Sequence, residues 1–364
     1  MIDSLVRRLG KVCLAFAFLA VPLIALAGPP GLLDNNHAAV RAVIAAQAEV
    51  TGQWMQNPEV LGTAVGVDTA NVPVLRVYID RDAANAGEVI RNLPREVRGQ
   101  RVNVELTDKF RAMKGNPHGG GTSHTGKQTP PIQLGTSGGW SKDLANGFCC
   151  GGTLGSLVLI GGAQHILSNY HVFESDTVPG GNNTVAATGD PIIQPGLIDV
   201  NCDVSGAQTV ATLVKKSSLP NSNVDCSVGK VSAGMVRTDG AILEIGTISS
   251  STVAASINQA VKKSGRTTGL TRSSVSGLNA TISVTYDNEC AGGTAFTKTF
   301  TGQIVVANKG SRFLNSGDSG SLMVQDAATN PHAVGLLFAG SSSDAIANPI
   351  GQVLSFLNAT MVGN

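Results

Sequence analysis

Residues 317–321 read Gly-Asp-Ser-Gly-Ser and lie between a predicted loop and a short apolar run at 322–325. The two glycines allow the backbone to turn sharply around Ser319, so that its hydroxyl is exposed and nearby N–H groups converge on one point. Converging N–H groups can stabilise an oxyanion. An ordinary Gly/Ser turn is the alternative interpretation of these five residues, so partners for Ser319 must be sought elsewhere in the chain.

Two other residues could complete a nucleophilic site with Ser319. His171 ends the stretch Ile-Leu-Ser-Asn-Tyr-His (166–171), just past an apolar run, where a loop can present its ring as a general base. Asp225 begins a predicted strand in Asn-Val-Asp-Cys-Ser-Val (223–228), where a carboxylate could orient that ring. Taken singly, each residue has an ordinary explanation. His171 could be a hydrogen-bonded histidine at the end of a strand, and Asp225 could be a turn residue.

The three segments together are far more specific than any one of them. In the order His171, Asp225, Ser319 they resemble the trypsin-like serine peptidases, and particularly their bacterial secreted branch. Ser-Asn-Tyr-His-Val-Phe resembles the histidine box of that family, Asn-Val-Asp-Cys-Ser-Val its aspartate box, and Gly-Asp-Ser-Gly-Ser its nucleophile loop. Segments at 152–155, 263–271 and 334–340 are also similar, so the resemblance covers about residues 130–360.

The resemblance implies a mainly β fold with two six-stranded antiparallel barrels. It also implies acyl transfer to water, with His171 as general base, Asp225 as the group that orients the imidazole, and Ser319 as nucleophile. The N–H groups of Gly317 and Ser319 would form the oxyanion hole.

The same resemblance indicates which residues would hold a protein or peptide substrate. Phe338, Ala339 and Gly340 would pair with the substrate backbone as an added β-strand. Phe313 stands six residues before Ser319, where the family often places the floor of its primary pocket. An apolar floor would favour an apolar side chain before the cut bond.

Two features depart from the family pattern. No Ile-Val-Gly-Gly-type start precedes the first barrel strand, so activation by a new N-terminus that buries its amine against Asp318 is not expected. Asp318 is instead expected to be paired locally. No cysteine follows His171, so the disulfide that commonly flanks the histidine box is missing.

From residue 130 onward, short apolar runs alternate with Gly, Asn, Ser and Pro clusters, as is typical of an all-β barrel or sandwich. A peptidase domain is therefore expected over 130–364, closed by a helix at 346–357. The predicted strands are 154–160, 166–168, 210–214, 227–231, 282–286, 303–306, 321–324 and 333–338.

Residues 28–113 differ in character and are predicted to form a small α+β domain. A helix capped at 34–36 and reaching Trp54 is followed by strands 61–67 and 74–79, a helix 82–91 and a strand 101–106. A Gly-rich linker, 114–129, follows. We interpret the segment as an intramolecular prodomain that assists folding or covers the cleft. A small accessory binding domain is the alternative.

The first 27 residues are predicted to be a signal peptide. Basic residues at 7, 8 and 11 precede an apolar run that ends in Ala-Leu-Ala at 25–27. Pro22 interrupts the run, which is shorter than the roughly 20 residues needed to span a bilayer. Cleavage after Ala27 would make the mature protein secreted or periplasmic.

Five cysteines remain after the predicted signal peptide, and an oxidising compartment favours disulfides between them. Five allow at most two disulfides with one thiol left over, and the pairing stays open. The adjacent Cys149 and Cys150 are not expected to bond each other. The remaining cysteines are Cys202, Cys226 and Cys290, and because no C-x-x-C pattern is present, no metal site is predicted.

Composition argues against several other classes of function. The 26 Lys+Arg and 25 Asp+Glu residues give a formal net charge of +1, so nucleic acid and anionic membranes are not expected partners. With 14% charged residues, 42% hydrophobic residues and 44 glycines, the chain fits neither a disordered protein nor a long-helix protein.

One competing motif is Gly-Thr-Ser-Gly-Gly at 135–139, which matches the G-x-S-x-G nucleophile elbow. Ser137, Asp225 and His332 even follow the chain order of that hydrolase fold. The segment after the motif is too short and Gly-bounded for the helix that the elbow requires. The linker histidines His118 and His124 are expected to be solvated.

These observations predict a secreted serine endopeptidase that needs no metal or organic cofactor. The alternative is a barrel that keeps the three residues but acts as a binding module or processes only itself.

Overall fold

The N-terminal elements lie close to those predicted. The computed structural model describes residues 32–113, 122–145, 148–174, 186–286, 296–308 and 312–364. The predicted signal peptide, Cys290, His118 and part of the predicted linker lie outside these residues. The first elements are α1 (Ala38–Trp54), β1 (Val60–Val67), β2 (Pro73–Asp80), α2 (Ala86–Asn92), β3 (Glu96–Val97), β4 (Gln100–Thr107), β5 (Phe110–Ala112) and α3 (Thr122–Thr125).

Helix α1 begins later than the sequence pattern suggested. Its N-cap is His37, whose Nδ1 accepts a hydrogen bond from the N–H of Ala39 at 3.3 Å. The Asp34 carboxylate instead accepts the N–H groups of Asn36 and His37 in the turn before the helix. The predicted cap at 34–36 was therefore wrong, because the side chain of Asp34 is used by this turn.

A first antiparallel barrel follows the linker. Its elements are β6 (Thr136–Trp140), β7 (Leu144–Ala145), β8 (Phe148–Cys149), β9 (Gly152–Leu154), β10 (Ser156–Ile160), β11 (Ala163–Ser168), α4 (Tyr170–Phe173), β12 (Pro191–Gln194), two 3₁₀ turns (Leu197–Asp199 and Val204–Gly206), β13 (Gln208–Val214) and β14 (Ser227–Val231). The strand order is β10, β11, β14, β13, β12, β6, β9. Only Gly155 separates β9 from β10, so these two count as one interrupted strand. The last strand in the order is thus continuous with the first, and the sheet forms a six-stranded barrel.

A second antiparallel barrel is closed by strand pairing throughout. Its elements are β15 (Ala260–Gly265), β16 (Gly269–Tyr286), β17 (Phe296–Ala307), β18 (Leu322–Gln325), β19 (Ala333–Gly340) and β20 (Asp344–Pro349), followed by α5 (Ile350–Leu357) and β21 (Thr360–Met361). The order β15, β18, β19, β20, β17, β16 is closed because β16 pairs again with β15. The mainly β fold with two six-stranded barrels is thus confirmed.

The closing helix is shorter than predicted. Residues from 346 onward were expected to be helical, but Ile346 lies in β20, where it pairs with Val305 of β17 and Ala339 of β19. The helix begins only after Pro349, its N-cap residue. Cross-strand pairing therefore prevails over the local helical pattern at these positions.

Strand β16 extends beyond the barrel and carries the N-terminal segment. Gly62 of β1 is opposite Ile282 of β16, and the sheet continues through β2, β4 and β3. Strand β5 runs parallel to β16 and antiparallel to β19. The segment before residue 113 thus shares a sheet with the second barrel, while the domain boundaries drawn from the sequence stay a prediction.

The far half of β16 presents alternate residues to the interior. Ala280, Ile282, Val284 and Tyr286 are buried, as the two-residue period of a strand requires. They belong to one apolar cluster with Phe300 and other aromatic residues of β2, β5 and β19. This alternation places the Tyr286 ring beside the histidine box.

Candidate active site

Two of the three predicted catalytic residues are hydrogen-bonded to each other. His171 lies in α4, immediately after β11, and Asp225 lies just before β14. Because β11 and β14 are adjacent strands, their ends bring the two side chains together. Nδ1 of His171 is 2.6 Å from Oδ2 of Asp225, and both side chains are buried. The carboxylate can therefore hold the ring in one orientation.

The Asp225 carboxylate is surrounded by donors. Its Oδ1 accepts the backbone N–H groups of Tyr170 at 2.7 Å and of His171 at 3.4 Å. Its Oδ2 accepts the phenol hydroxyl of Tyr286 at 2.8 Å in addition to the His171 ring. The backbone N–H of Asp225 in turn donates to Oδ1 of Asn348 at 2.9 Å. These bonds stabilise the negative charge and fix the carboxylate plane.

Tyr286 is a site residue that the motifs did not identify. Its ring stacks on Phe296 with centroids 4.8 Å apart and meets the His171 ring edge-on at 5.9 Å. Burial, followed by the neighbouring Asp225 carboxylate, raises the pKa of the Tyr286 phenol well above its ordinary value. The phenol therefore keeps its proton and acts as the donor. The alternation of 280–286 in the sequence was the signal that could have placed this ring on the buried face.

We expect Tyr286→Phe to lower kcat by roughly 10–100-fold, because a hydrogen bond to a charged group contributes about 1.5–3 kcal/mol. KM should stay close to the wild-type value, since the phenol contacts Asp225 and not the substrate. Steady-state kinetics on a small ester substrate would separate the two effects. Tyr78→Phe, a matched change in the same buried cluster, should leave kcat unchanged. A raised KM with normal kcat would contradict this positioning role.

The nucleophile loop has the sharp turns expected of it. Gly317 and Gly320 have φ values of 96° and 91°, in the left-handed region that favours glycine. A Cβ on Gly320 would come within 2.2 Å of the Ser168 hydroxyl, so a larger residue cannot be accommodated without a shift. The expected exposure of the Ser319 hydroxyl was wrong, because the residue is buried and its hydroxyl donates to the carbonyl of Phe338 at 3.2 Å.

Ser319 and the histidine box both lie against Gly152. A Cβ on Gly152 would lie 2.6 Å from Val172, which follows His171 in the chain, and 3.0 Å from the carbonyl oxygen of Ser319. The ring atom Nε2 of His171 is buried and makes no hydrogen bond to any described residue. In this conformation Ser319 is bonded to Phe338 rather than to that nitrogen. One ring nitrogen thus remains available to accept a proton.

Residues 111–113, the tail of the N-terminal segment, contact the predicted oxyanion and substrate groups. The N–H of Gly317 donates to the carbonyl of Met113 at 2.7 Å. Phe338, Ala339 and Gly340 form the end of β19, and β5 pairs with this end. Phe313 is fully buried in an apolar cluster against which the Met113 side chain packs. The predicted cleft residues therefore face a peptide segment of the chain itself.

His171 and Asp225 lie on the first barrel, and Ser319 lies on the second. The fold is that of the trypsin-like serine peptidases. The resemblance recognised in the sequence is thereby confirmed at the level of the fold.

Comparisons with known proteins find solved structures that are distant in sequence. The chain is similar to a glutamic acid-specific serine protease, with 18% identity, coverage of 63% of this chain and 100% of that chain, and a TM-score of 0.43. It is similar to Thermobifida fusca protease A, with 18% identity, coverage of 64% and 99%, and a TM-score of 0.42. For a Cellulomonas bogoriensis chymotrypsin the identity is 21%, the coverage 58% and 91%, and the TM-score 0.36.

A family profile described as the Nal1 C-terminal domain matches residues 220–348. This stretch includes Asp225 and Ser319 and leaves out His171. No curated protein matches the chain.

Asp318, next to the proposed nucleophile Ser319, has a buried cationic partner. Nζ of Lys263 is 3.4 Å from its Oδ2, and both side chains are 0% exposed. Its oxygens also accept hydrogen bonds from the backbone N–H groups of Thr267, Thr268 and Asn315. Burial lowers the pKa of Lys263, and the Asp318 carboxylate opposes that shift. The expectation of local pairing is confirmed, so no new N-terminal amine is needed to neutralise Asp318.

Lys263→Met should destabilise the protein by about 3–5 kcal/mol, because it leaves the Asp318 carboxylate buried without its cation. The loop that carries the Gly317 N–H should lose order, and activity should fall with stability. Urea unfolding measures the loss. Lys262→Met is the matched control, since the Lys262 ammonium donates to the carbonyl of Ala327 rather than to Asp318. Equal losses in both variants would contradict the proposed importance of the pair.

The competing elbow motif has another role in the structure. Ser137 lies in β6, where its hydroxyl donates to Asp199 and accepts the N–H of Gly196. His332 is bonded to Ser251. Neither Ser137 nor His332 is therefore hydrogen-bonded to Asp225. The expectation that His124 is solvated was wrong, because its ring is buried and bonded to Gly135 and Glu244.

Three of the four described cysteines are disulfide-bonded. Cys149 is bonded to Cys202, Cys150 is also disulfide-bonded, and Cys226 is a buried free thiol. Within the described ranges, no group of three or more His, Cys, Asp or Glu residues is placed to bind a metal ion. In the same ranges no helix has the length and apolar character to cross a membrane.

Proposed function

We propose that this protein is a serine endopeptidase that cuts peptide bonds through an acyl-enzyme on Ser319. One observation carries the proposal: Asp225 holds Nδ1 of His171 at 2.6 Å, while Nε2 is buried and has no hydrogen-bond partner among the described residues. Val172, the next residue, and the Ser319 backbone both lie against Gly152. A histidine held in this way keeps its proton on Nδ1 and can accept another at Nε2. Sequence motifs and fold support the same chemistry.

The first half of the reaction forms the acyl-enzyme. The Ser319 hydroxyl turns from the Phe338 carbonyl toward Nε2 of His171, loses its proton to that nitrogen and attacks the substrate carbonyl carbon. The N–H groups of Gly317 and Ser319 stabilise the negative oxygen that results. His171 then passes its proton to the leaving amine, and Asp225 stabilises the charged ring in between. Water releases the acyl group by the same steps, so the net reaction consumes one water per bond.

Fluorophosphonate labelling of the purified full chain tests this proposal. The probe reacts covalently with an activated serine, so a segment in the cleft slows labelling without preventing it. We expect the wild type to gain one probe mass at Ser319, and Ser319→Ala and His171→Ala to remain unlabelled. No labelling of folded wild-type protein over long incubation would overturn the proposal and favour a binding module.

We also propose that the chain is exported by its first 27 residues and acts on protein or peptide substrates outside the cytoplasm. The basic and apolar pattern that ends at Ala27 supports export. N-terminal sequencing of the Ser319→Ala variant recovered outside the cytoplasm should begin at Gly28, because this variant is not expected to cut itself. A mature chain that retains residues 1–27 would contradict this.

A further inference from the structure

The end of the N-terminal segment lies on the substrate side of the cleft as an added strand. Ala112 is opposite Ala339, and Arg111 is opposite Gly340, in antiparallel register. The N–H of Met113 donates to the carbonyl of Phe338 at 3.2 Å. This is the way a peptide adds to a sheet edge, with backbone hydrogen bonds holding it in register.

The tail is anchored upstream by a buried aromatic residue. Phe110 is fully buried and meets the ring of Tyr78 edge-on, with centroids 5.4 Å apart. It belongs to the same apolar cluster as Phe338 and Ala339. The anchor positions the residues that follow it in the cleft.

The carbonyl group of Met113 occupies the place of a reacting carbonyl. Its oxygen accepts the N–H of Gly317 at 2.7 Å, and Gly317 is one of the two proposed oxyanion donors. The Phe338 carbonyl accepts both the N–H of Met113 and the hydroxyl of Ser319. A single acceptor thus connects the proposed nucleophile to the backbone of Met113. The carbonyl that accepts the Gly317 N–H belongs to the peptide bond between residues 113 and 114.

The Met113 side chain is partly buried against apolar residues of the second barrel. It packs against the cluster that contains Phe313 and Leu314. A Cβ on Gly340 would come within 3.0 Å of the Met113 terminal methyl, so the glycine leaves the space that this side chain uses. The hydroxyl of Ser316 lies 4.0 Å from the Met113 sulfur.

We propose that Met113–Lys114 is the first bond this enzyme cuts, within its own chain, and that its primary pocket selects methionine and similarly long, unbranched apolar side chains. The proposal rests on the proposed function. Ser319 attacks the Met113 carbonyl carbon, and the nitrogen of Lys114 leaves with the proton carried by His171. Water then hydrolyses the ester, so that one water yields a carboxylate at Met113 and an amine at Lys114. Until the tail leaves, it blocks the cleft.

Self-cleavage of the purified full chain tests the site. Intact mass and N-terminal sequencing should show a new N-terminus at Lys114, and the first-order rate should not change on tenfold dilution, because the bond and the serine are in one molecule. Ser319→Ala should stay uncut. Met113→Asp, which places a charge in the apolar pocket, should slow cutting by more than about 100-fold. Leu106→Asp is the matched control, since that side chain is 50% exposed on β4, and it should be cut normally.

Added peptides test the pocket independently of the chain's own tail. Substrates with Ala-Met before the cut should be hydrolysed faster than those with Ala-Glu or Ala-Lys. The product peptide Asp-Lys-Phe-Arg-Ala-Met, which matches residues 108–113, should inhibit this hydrolysis, and the same peptide ending in Asp should not.

The outcomes separate the two proposals. A fluorophosphonate-reactive Ser319 in a chain that stays intact, or is cut elsewhere, would overturn the self-cleavage proposal and leave the endopeptidase proposal standing. Preference for Glu or Lys before the cut would overturn the pocket assignment. An unreactive Ser319 would overturn both proposals.

Discussion

Replacing Ser319 by alanine is expected to lower kcat by about 10⁶-fold, the scale seen when a serine nucleophile is removed from a catalytic triad. The variant should still fold, because the Phe338 carbonyl that accepts the Ser319 hydroxyl also accepts the N–H of Met113. Hydrolysis of a methionine ester by the purified chain is the measurement. Residual activity would come from the oxyanion donors and substrate binding alone.

Ser319→Ala and its parent must be compared with residues 111–113 in the same position in both proteins. Wild-type chain and Ser319→Ala are therefore best compared in the Met113→Asp background, in which neither is expected to cut itself. Ser250→Ala changes an exposed serine that is bonded to Asn364, and it should retain full activity. If Ser319→Ala hydrolysed the ester as fast as its parent, Ser319 would not be the nucleophile.

Asp225→Asn should lower kcat by about 10⁴-fold with little loss of folding. The reason lies in the donors around the carboxylate. Oδ1 accepts two backbone N–H groups, of Tyr170 and His171, which can only donate. An asparagine would therefore keep its carbonyl oxygen there and point its NH₂ group at His171 and Tyr286.

A histidine that faces this NH₂ group must accept at Nδ1 and carry its proton on Nε2. In that tautomer it cannot take the proton of Ser319. Nitrogen-15 NMR of the histidine ring would report the exchange of tautomers, while kinetics report the loss of kcat. Asp239→Asn, a change at an exposed aspartate paired with Arg237, should behave like the wild type. An unchanged kcat in Asp225→Asn would show that His171 does not depend on this carboxylate.

Much of the fold and the proposed catalytic residues could be predicted because their signals are local. The strand at 227–231 was predicted to its ends, since alternation and turn residues encode it within a few positions. His171, Asp225 and Ser319 each sit in a short, recognisable segment. The structure brings His171 and Asp225 into contact, and the catalytic roles stay predictions until Ser319 is tested.

Other parts of the site depend on pairs that are distant in the chain. Tyr286 reaches Asp225 because β16 is 18 residues long and its last residue lies beside the histidine box. Lys263 reaches Asp318 because β15 and β18 are neighbours in the barrel. Local alternation could place Tyr286 on a buried face, but no local pattern shows that Tyr286 reaches Asp225 or that Lys263 reaches Asp318.

By itself, the sequence determined the fold class, the strand-rich half and the three residues proposed for catalysis, because hydrophobic period and short motifs act over a few neighbouring residues. Only the tertiary structure decided that Ile346 is in a strand, that Lys263 neutralises Asp318, and that the Met113 carbonyl accepts the N–H of Gly317. Each of these depends on the register between strands far apart in the chain. Register is set by the packing of the whole sheet, so the residues on either side do not reveal it.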